Sequence, residues 1–261
     1  MKINVVYNEN IPEYEKSLAI IESALKKINA DFKSIKLDNM EFYGDFTIVI
    51  GGDGTILRAA RFYAEKSIPT FGVNIGRLGF LAQTQAKNSD KFLEAIFAGN
   101  YRTEERIMLE SGNYLALNDF VVRGCNSTRA SKFYLEINGE DVCDYIADGL
   151  IVSTPTGSTA YGLSAGGPVL YPTTDSILIV PICPHTLNAR PLVIPSDEKI
   201  AVKTIDSKLS VAVDGYTKFE CIDKILIKKA ENKAILAFLN DENYYSILRD
   251  KLHWGLPAGE G

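Results

Sequence analysis

The stretch Phe46-Thr47-Ile48-Val49-Ile50-Gly51-Gly52-Asp53-Gly54-Thr55 decides how this chain is read. Its first five residues form a largely apolar run and predict a strand. The glycines that follow let backbone N–H groups approach a phosphate with no Cβ in the way. Thr55 is placed to open the next helix and cap its free N–H groups. Gly51, Gly52, Gly54 and Thr55 are therefore candidate phosphate-binding residues. A carboxylate repels phosphate, so a simple anion cradle would omit Asp53. Asp53 fits if it takes a proton from a hydroxyl, or holds a metal, beside the phosphates. A tight strand-to-helix turn with no ligand also satisfies Gly-Gly-Asp-Gly, and the pattern alone does not choose. The turn is neither a Gly-x-x-x-x-Gly-Lys-Ser/Thr loop nor a Gly-x-Gly-x-x-Gly fingerprint.

Outward from this turn, the first hundred residues alternate strand and helix. Ile3–Tyr7 predicts a strand, and Tyr14, Leu18, Ile21, Leu25 and Ile28 follow at helical spacing. Phe32, Ile35 and Leu37 suggest a second strand. Ile56, Leu57, Ala60, Tyr63 and Ala64 mark the helix after the glycine turn, and Thr70–Asn74 a further strand. Ser89 is placed to cap a helix carrying Phe92, Ala95 and Ile96 that stops near Gly99. Such alternation predicts a Rossmann-like parallel sheet flanked by helices, with ligands beyond the carboxyl ends of the strands.

The texture changes near residue 101. Short β-rich runs follow, among them Phe120–Val122, Phe133–Ile137, Leu150–Ser153, Ile177–Val180 and Leu209–Val213, and Asn138-Gly139 is a hairpin signal. We expect an α/β domain over 1–100 and a mainly β sandwich over 101–238. A terminal segment, 239–261, has a helix near Asn243–His253 that packs back on the first domain.

The chain has 261 residues, 46% hydrophobic and 23% charged, with a formal net charge of −5. That profile fits a globular protein, and with no basic run it argues against a nucleic-acid partner. The longest apolar stretch, Ile177–Cys183, contains Pro181 and falls far short of a membrane span. Cys125, Cys143, Cys183 and Cys221 form no Cys-x-x-Cys pair, and the histidines are His185 and His253. A protein metal site is therefore not expected, and scattered cysteines fit the cytoplasm.

Three further patterns carry chemistry. A predicted strand runs into Ser153-Thr154-Pro155-Thr156-Gly157-Ser158-Thr159-Ala160-Tyr161, with six hydroxyl side chains, and then Ser164-Ala165-Gly166-Gly167-Pro168. Hydroxyls and N–H groups at a strand end make a polar-ligand surface, and Tyr161 can stack on a flat ring. Asn118-Asp119 interrupts a strand pattern, which also fits a β-bulge. Asp214-Gly215 fits a hairpin turn.

Together with Gly76–Phe80, these elements resemble the successive signatures of NAD kinases, in family order and across residues 51 to 216. Gly-Gly-Asp-Gly alone is shared with diacylglycerol kinases, sphingosine kinases and phosphofructokinases; the Ser153–Tyr161 segment is far more specific. The resemblance implies phosphoryl transfer from ATP or polyphosphate to the 2′-hydroxyl of the adenosine ribose of NAD. It makes Asp53 the general base and implies a divalent metal, Mg²⁺, carried with the donor. By position, Gly54 and Phe80 line the adenosine pocket, Asn118 contacts adenine with Asp119 beside it, and Thr156, Thr159 and Ala160 frame the nucleoside. Tyr161, Ser164, Asp148 and Ile182 bound the rest of the dinucleotide. Gly162, Leu163, Asp214 and Tyr216 complete the expected substrate contacts, with Arg58 and Arg129 as candidate phosphate contacts. Ile146 stands two residues before Asp148, where relatives often carry a basic residue, so the choice between NAD and NADH stays open. The resemblance also implies a site shared between subunits of a homodimer or homotetramer. A diacylglycerol-type lipid kinase and a non-catalytic dinucleotide sensor are the alternatives.

Overall fold

The computed structural model describes residues 1–76, 79–125, 130–186, 188–205, 208–240 and 243–252, apart from the side chains at 217, 218, 220 and 221. Strand and helix alternate through β1 (Lys2–Tyr7), α1 (Tyr14–Lys27), β2 (Asp31–Lys36), β3 (Phe46–Ile50) and α2 (Asp53–Tyr63). The series continues with β4 (Thr70–Asn74), β5 (Ala82–Gln85), α3 (Ser89–Phe97) and β6 (Tyr101–Arg106). β1 lies between β2 and β3 and pairs in parallel with both, Val5 standing opposite Ser34 and Ile48. β3 in turn pairs in parallel with β4. All five residues of β3 are buried, as befits a central strand covered on both faces. The chain leaves β1 to one side for β2 and returns on the other for β3. A crevice therefore opens beyond Tyr7 and Ile50, and the glycine turn enters it.

The helices pack as their spacing predicts. α1 buries Ile21, Ala24 and Leu25, and α2 buries Ile56, Leu57, Ala60 and Tyr63. Two expected caps are corrected. α2 begins at Asp53 with Gly52 as its N-cap, so Thr55 already lies inside the first turn. Its hydroxyl is buried, accepting from Asn8 Nδ2 at 3.4 Å. Ser89 likewise is the first residue of α3, not its cap, because a short 3-10 turn over Ala86–Asn88 leads straight into the helix. Leu37 also leaves the expected second strand and begins another such turn.

Beyond β6 the chain is almost all strand: β7 (Leu109–Ser111), β8 (Tyr114–Ala116), β9 (Asp119–Gly124), β10 (Ser131–Ile137), β11 (Glu140–Ala147) and β12 (Gly149–Ser153). After the short α4 (Tyr161–Ser164) come β13 (Ser176–Ile182), β14 (Leu192–Pro195), β15 (Ile200–Thr204), β16 (Leu209–Val213), β17 (Thr217–Ile222) and β18 (Lys224–Lys229). They form two six-stranded sheets, β11-β10-β15-β18-β7-β8 and β14-β13-β12-β9-β16-β17. Phe133, Leu135, Val202 and Ile225 of the first meet Phe120, Val122, Leu150 and Val211 of the second in one core, the expected sandwich. The Asn138-Gly139 hairpin turns with both residues at positive φ, 53° and 87°, the geometry that Asn-Gly favours.

The chain then returns: β19 (Ala234–Leu239) lies beside β4, and α5 (Tyr244–Leu252) follows. Two compact units result, Met1–Glu105 with Ala234–Gly261, and Arg106–Lys233. The expected boundary of 101–238 is corrected at both ends, since β6 and β19 belong to the first sheet. Leu236 pairs in parallel with Thr70, and Leu239 N–H donates to Gln83 Oε1 at 2.8 Å. Ala-Ile-Leu-Ala-Phe-Leu, an apolar run after a dozen strands, carries no local mark of which sheet it joins; long-range pairing decides. The helix expected near Asn243–His253 forms over Tyr244–Leu252 and groups with the first unit. No helix among the described residues is long and apolar enough to cross a membrane.

Candidate active site

In the first unit the site grows from the C-terminal edge of the parallel sheet. Gly51 follows β3 and donates its N–H to Val73 O of β4 at 2.9 Å. A Cβ on Gly51 would meet the Thr55 side chain at 2.6 Å, so glycine permits the turn to fold onto its own helix. Gly52 and Gly54 lie at the N-terminus of α2, where a Cβ on Gly52 would enter open space. Thr55 N–H is already donated to Gly52 O at 2.9 Å.

Asp53, the first helical residue, turns its carboxylate onto the segment leading into β5. Oδ2 accepts the Phe80 N–H at 2.7 Å, and Oδ1 accepts those of Leu81 at 3.1 Å and Ala82 at 3.4 Å. Consecutive N–H groups form a nest for an anionic oxygen, and the N-terminal end of α2 adds favourable dipole charge. A Cβ on Gly79 would fall on the Asp53 carboxylate itself. Arg58, one turn along α2, pairs with Asp38 at 2.7 Å on the surface.

In the second unit, strand register gathers the other motifs. β9 is antiparallel to both β12 and β16, with Asp119 opposite Ser153 and Phe120 opposite Val213. The start of β9 therefore lies beside the ends of β12 and β16. Leu117-Asn118 is more than the bulge its pattern suggested: it carries the chain from β8 in one sheet to β9 in the other. Asp214, at φ 48°, accepts the N–H groups of Leu117, Asn118 and Asp119 at 3.0, 2.8 and 3.0 Å. Thr154 binds the same turn from the other side, its hydroxyl donating to Leu117 O at 2.5 Å and accepting Gly157 N–H at 3.1 Å. A Cβ on Gly157 would overlap the Asn118 backbone. Asp119 is buried, and its carboxyl is pushed up to about 7, first by burial and then by the charge of Asp214.

Thr156, Thr159 and Ala160 continue from this junction, and Thr156 Oγ1 accepts from the buried Arg106 at 3.3 Å. Tyr161, Gly162, Leu163 and Ser164 form α4, and Tyr161 packs against the apolar cluster of Val121, Ile151, Leu178, Val180 and Ile182. The Tyr161 hydroxyl accepts from Arg123 at 2.8 Å. Tyr216 follows the Asp214-Gly215 turn and is 66% exposed. Asp148 stands apart from the Asn118 junction, whereas Ile182 belongs to the apolar cluster that Tyr161 packs against. Gly149 pairs with Ile182, so both lie at the opposite end of β12 from Ser153. Arg129 lies outside the described residues. Among the described residues no three His, Cys, Asp or Glu side chains are grouped to hold a metal ion.

Gly79, Thr154 and Arg106 were not singled out from the sequence. Gly79 and Thr154 sat inside quoted motifs, but Arg106 ends an ordinary strand and gave no local signal.

The profile of the ATP-NAD kinase N-terminal domain matches residues 6–101, and that of the C-terminal domain matches 117–238. The chain belongs to the NAD kinase family. Members of this family are transferases that phosphorylate NAD. The NAD kinase of Magnetococcus marinus is 39% identical over 267 residues, 96% of this chain and 88% of that protein. That of Heliobacterium modesticaldum is 44% identical over 224 residues, 81% and 79% of the two chains. Among solved structures, an NAD kinase from Archaeoglobus fulgidus in complex with ATP is 28% identical, with a TM-score of 0.80 over 97% of this chain and 99% of that one. Yeast NADH kinase complexed with NADH shares the fold at a TM-score of 0.85, 23% identity, and 98% and 89% coverage.

Proposed function

We propose that the protein transfers a phosphoryl group from ATP, or from polyphosphate, to the 2′-hydroxyl of the adenosine ribose of NAD, giving NADP, with Asp53 as the general base. The observation that carries this reading is the Asp53 carboxylate, fixed by three N–H donors at the C-terminal edge of the parallel sheet. A ribose hydroxyl is a weak nucleophile until a base takes its proton during attack. As the 2′-oxygen bonds to phosphorus, its O–H bond breaks and the proton passes to Asp53. The bond from phosphorus to the bridging oxygen breaks too, and its electron pair leaves with the shortened donor. Mg²⁺ enters as part of the donor substrate and neutralises its phosphate charge.

In the second unit Asn118, Thr156, Thr159 and Ala160 are the proposed adenosine contacts, and in the first Gly54 and Phe80 are assigned to adenosine; Asp119 and Asp214 shape the turn that presents Asn118. The convergence of three motifs at one end of a sheet supports this assignment. Tyr161, Gly162, Leu163, Ser164 and Tyr216 are assigned to the rest of the dinucleotide. Asp148 stands about 17 Å from Ser153 along the strand direction of β12, at roughly 3.3 Å per residue. That separation supports a site completed by a second copy, in a homodimer or homotetramer. The test incubates the protein with NAD, Mg²⁺ and a panel of donors, and detects product with an NADP-specific dehydrogenase. NADP should form with ATP or polyphosphate; no product with any donor would contradict the reading.

A further inference from the structure

The two oxygens of Asp53 are held unequally. Oδ1 accepts two N–H groups, from Leu81 and Ala82, whereas among the described residues Oδ2 accepts one, from Phe80. A carboxylate oxygen offers two lone-pair sites, so among the described residues both sites of Oδ1 are taken and one site of Oδ2 is open. The donors are themselves anchored. Ala82 pairs with Gly72 of β4, and the Gln83 side chain ties β5 to β19. Gly79 closes the arrangement, because any Cβ there would occupy the carboxylate's place.

We propose that the backbone of residues 79–82 positions the base: Leu81 and Ala82 lock Oδ1, and Oδ2 is the oxygen that takes the ribose proton. The inference rests on Asp53 acting as the general base. In the transfer, the 2′-O–H bond breaks and the proton bonds to the open site on Oδ2. The electron pair of that O–H bond stays on the 2′-oxygen and forms the bond to phosphorus, while the bridging P–O pair departs with the leaving group. Gly79 touches neither substrate nor reacting atoms in this scheme; it is a positioning residue that acts through Asp53.

Steady-state kinetics of Gly79→Ala, Asp53→Asn and the double variant test this, with folding checked by thermal melting. Gly79→Ala should lower kcat by roughly 100-fold, the scale of a misplaced catalytic group, with KM for NAD changed less than about threefold. The double variant should be no slower than Asp53→Asn alone, since Gly79 has no other route to the chemistry. A wild-type kcat for Gly79→Ala, or losses that multiply in the double variant, would overturn the positioning role and leave the base intact. Wild-type turnover in Asp53→Asn would instead remove the base itself. If Gly79→Ala does not fold, Asp53→Glu takes its place: it keeps a carboxylate that the cradle cannot seat. A comparable drop in kcat supports the cradle, and full activity refutes it.

Discussion

At the scale of single residues, Asp53 and Asp119 show one side-chain type put to opposite uses by its surroundings. Asp53 meets three N–H donors, while Asp119 is buried beside another carboxylate. The Asp119 carboxyl, pushed up to about 7, binds its proton more tightly in the folded chain than in the unfolded one. Its contribution to stability is therefore full below about pH 4 and is lost as pH rises towards 7, by up to about 1.4 kcal/mol per pH unit. Asp119→Asn should remove that slope, so the melting temperature of the native chain should fall relative to the variant between pH 5 and pH 7. Parallel curves would contradict it. Asp53 was legible in the sequence because a carboxylate among glycines is chemically out of place. Gly79 was hidden, because its role depends on an atom it lacks and on a partner 26 residues earlier in the chain.

At the scale of elements, the junction around Asn118 depends on register. The sequence showed a polar interruption at 118–119, a hydroxyl-rich segment at 153–161 and a turn at 214–215. It could not show that antiparallel pairing of β9 with β12 and β16 brings them together, because pairing partners leave no local trace. Asp214→Ala would strip the acceptor from three backbone N–H groups and should cost about 3 kcal/mol or more in chemical denaturation, with Asp214→Asn recovering part of the loss. A cost below about 0.5 kcal/mol would show that the turn holds itself. Gly157→Ala pushes a methyl group into the Asn118 backbone. It should weaken NAD binding in calorimetry by at least roughly tenfold, about 1.4 kcal/mol; unchanged affinity would take Asn118 out of the binding surface. Helix starts were the least legible elements. Thr55 and Ser89 look like caps, yet glycine and a preceding 3-10 turn begin their helices.

At the scale of the whole molecule, the α/β and β-rich halves were visible as a change from helical to alternating periodicity, and the return of the terminal helix to the first unit was expected, but the strand that precedes it was not. β19 completes a sheet begun more than 150 residues earlier, and Gln83 binds it through side-chain amide bonds that imitate a strand neighbour. A chain ending at Lys233 should therefore fail to fold its first unit, seen as lost helical circular dichroism; retained helix signal would show that β19 is dispensable. The separation of Asp148 from the Asn118 junction predicts that dilution to the monomer abolishes turnover, readable by light scattering alongside activity; a fully active monomer would contradict a shared site. The claim beneath all of this is that Asp53 takes the ribose proton, and single-turnover kinetics of Asp53→Asn with saturating NAD, Mg²⁺ and ATP test it most directly. NADP formation should slow by at least roughly a hundredfold while NAD affinity and melting temperature stay near those of the native chain; formation at the native rate would contradict it.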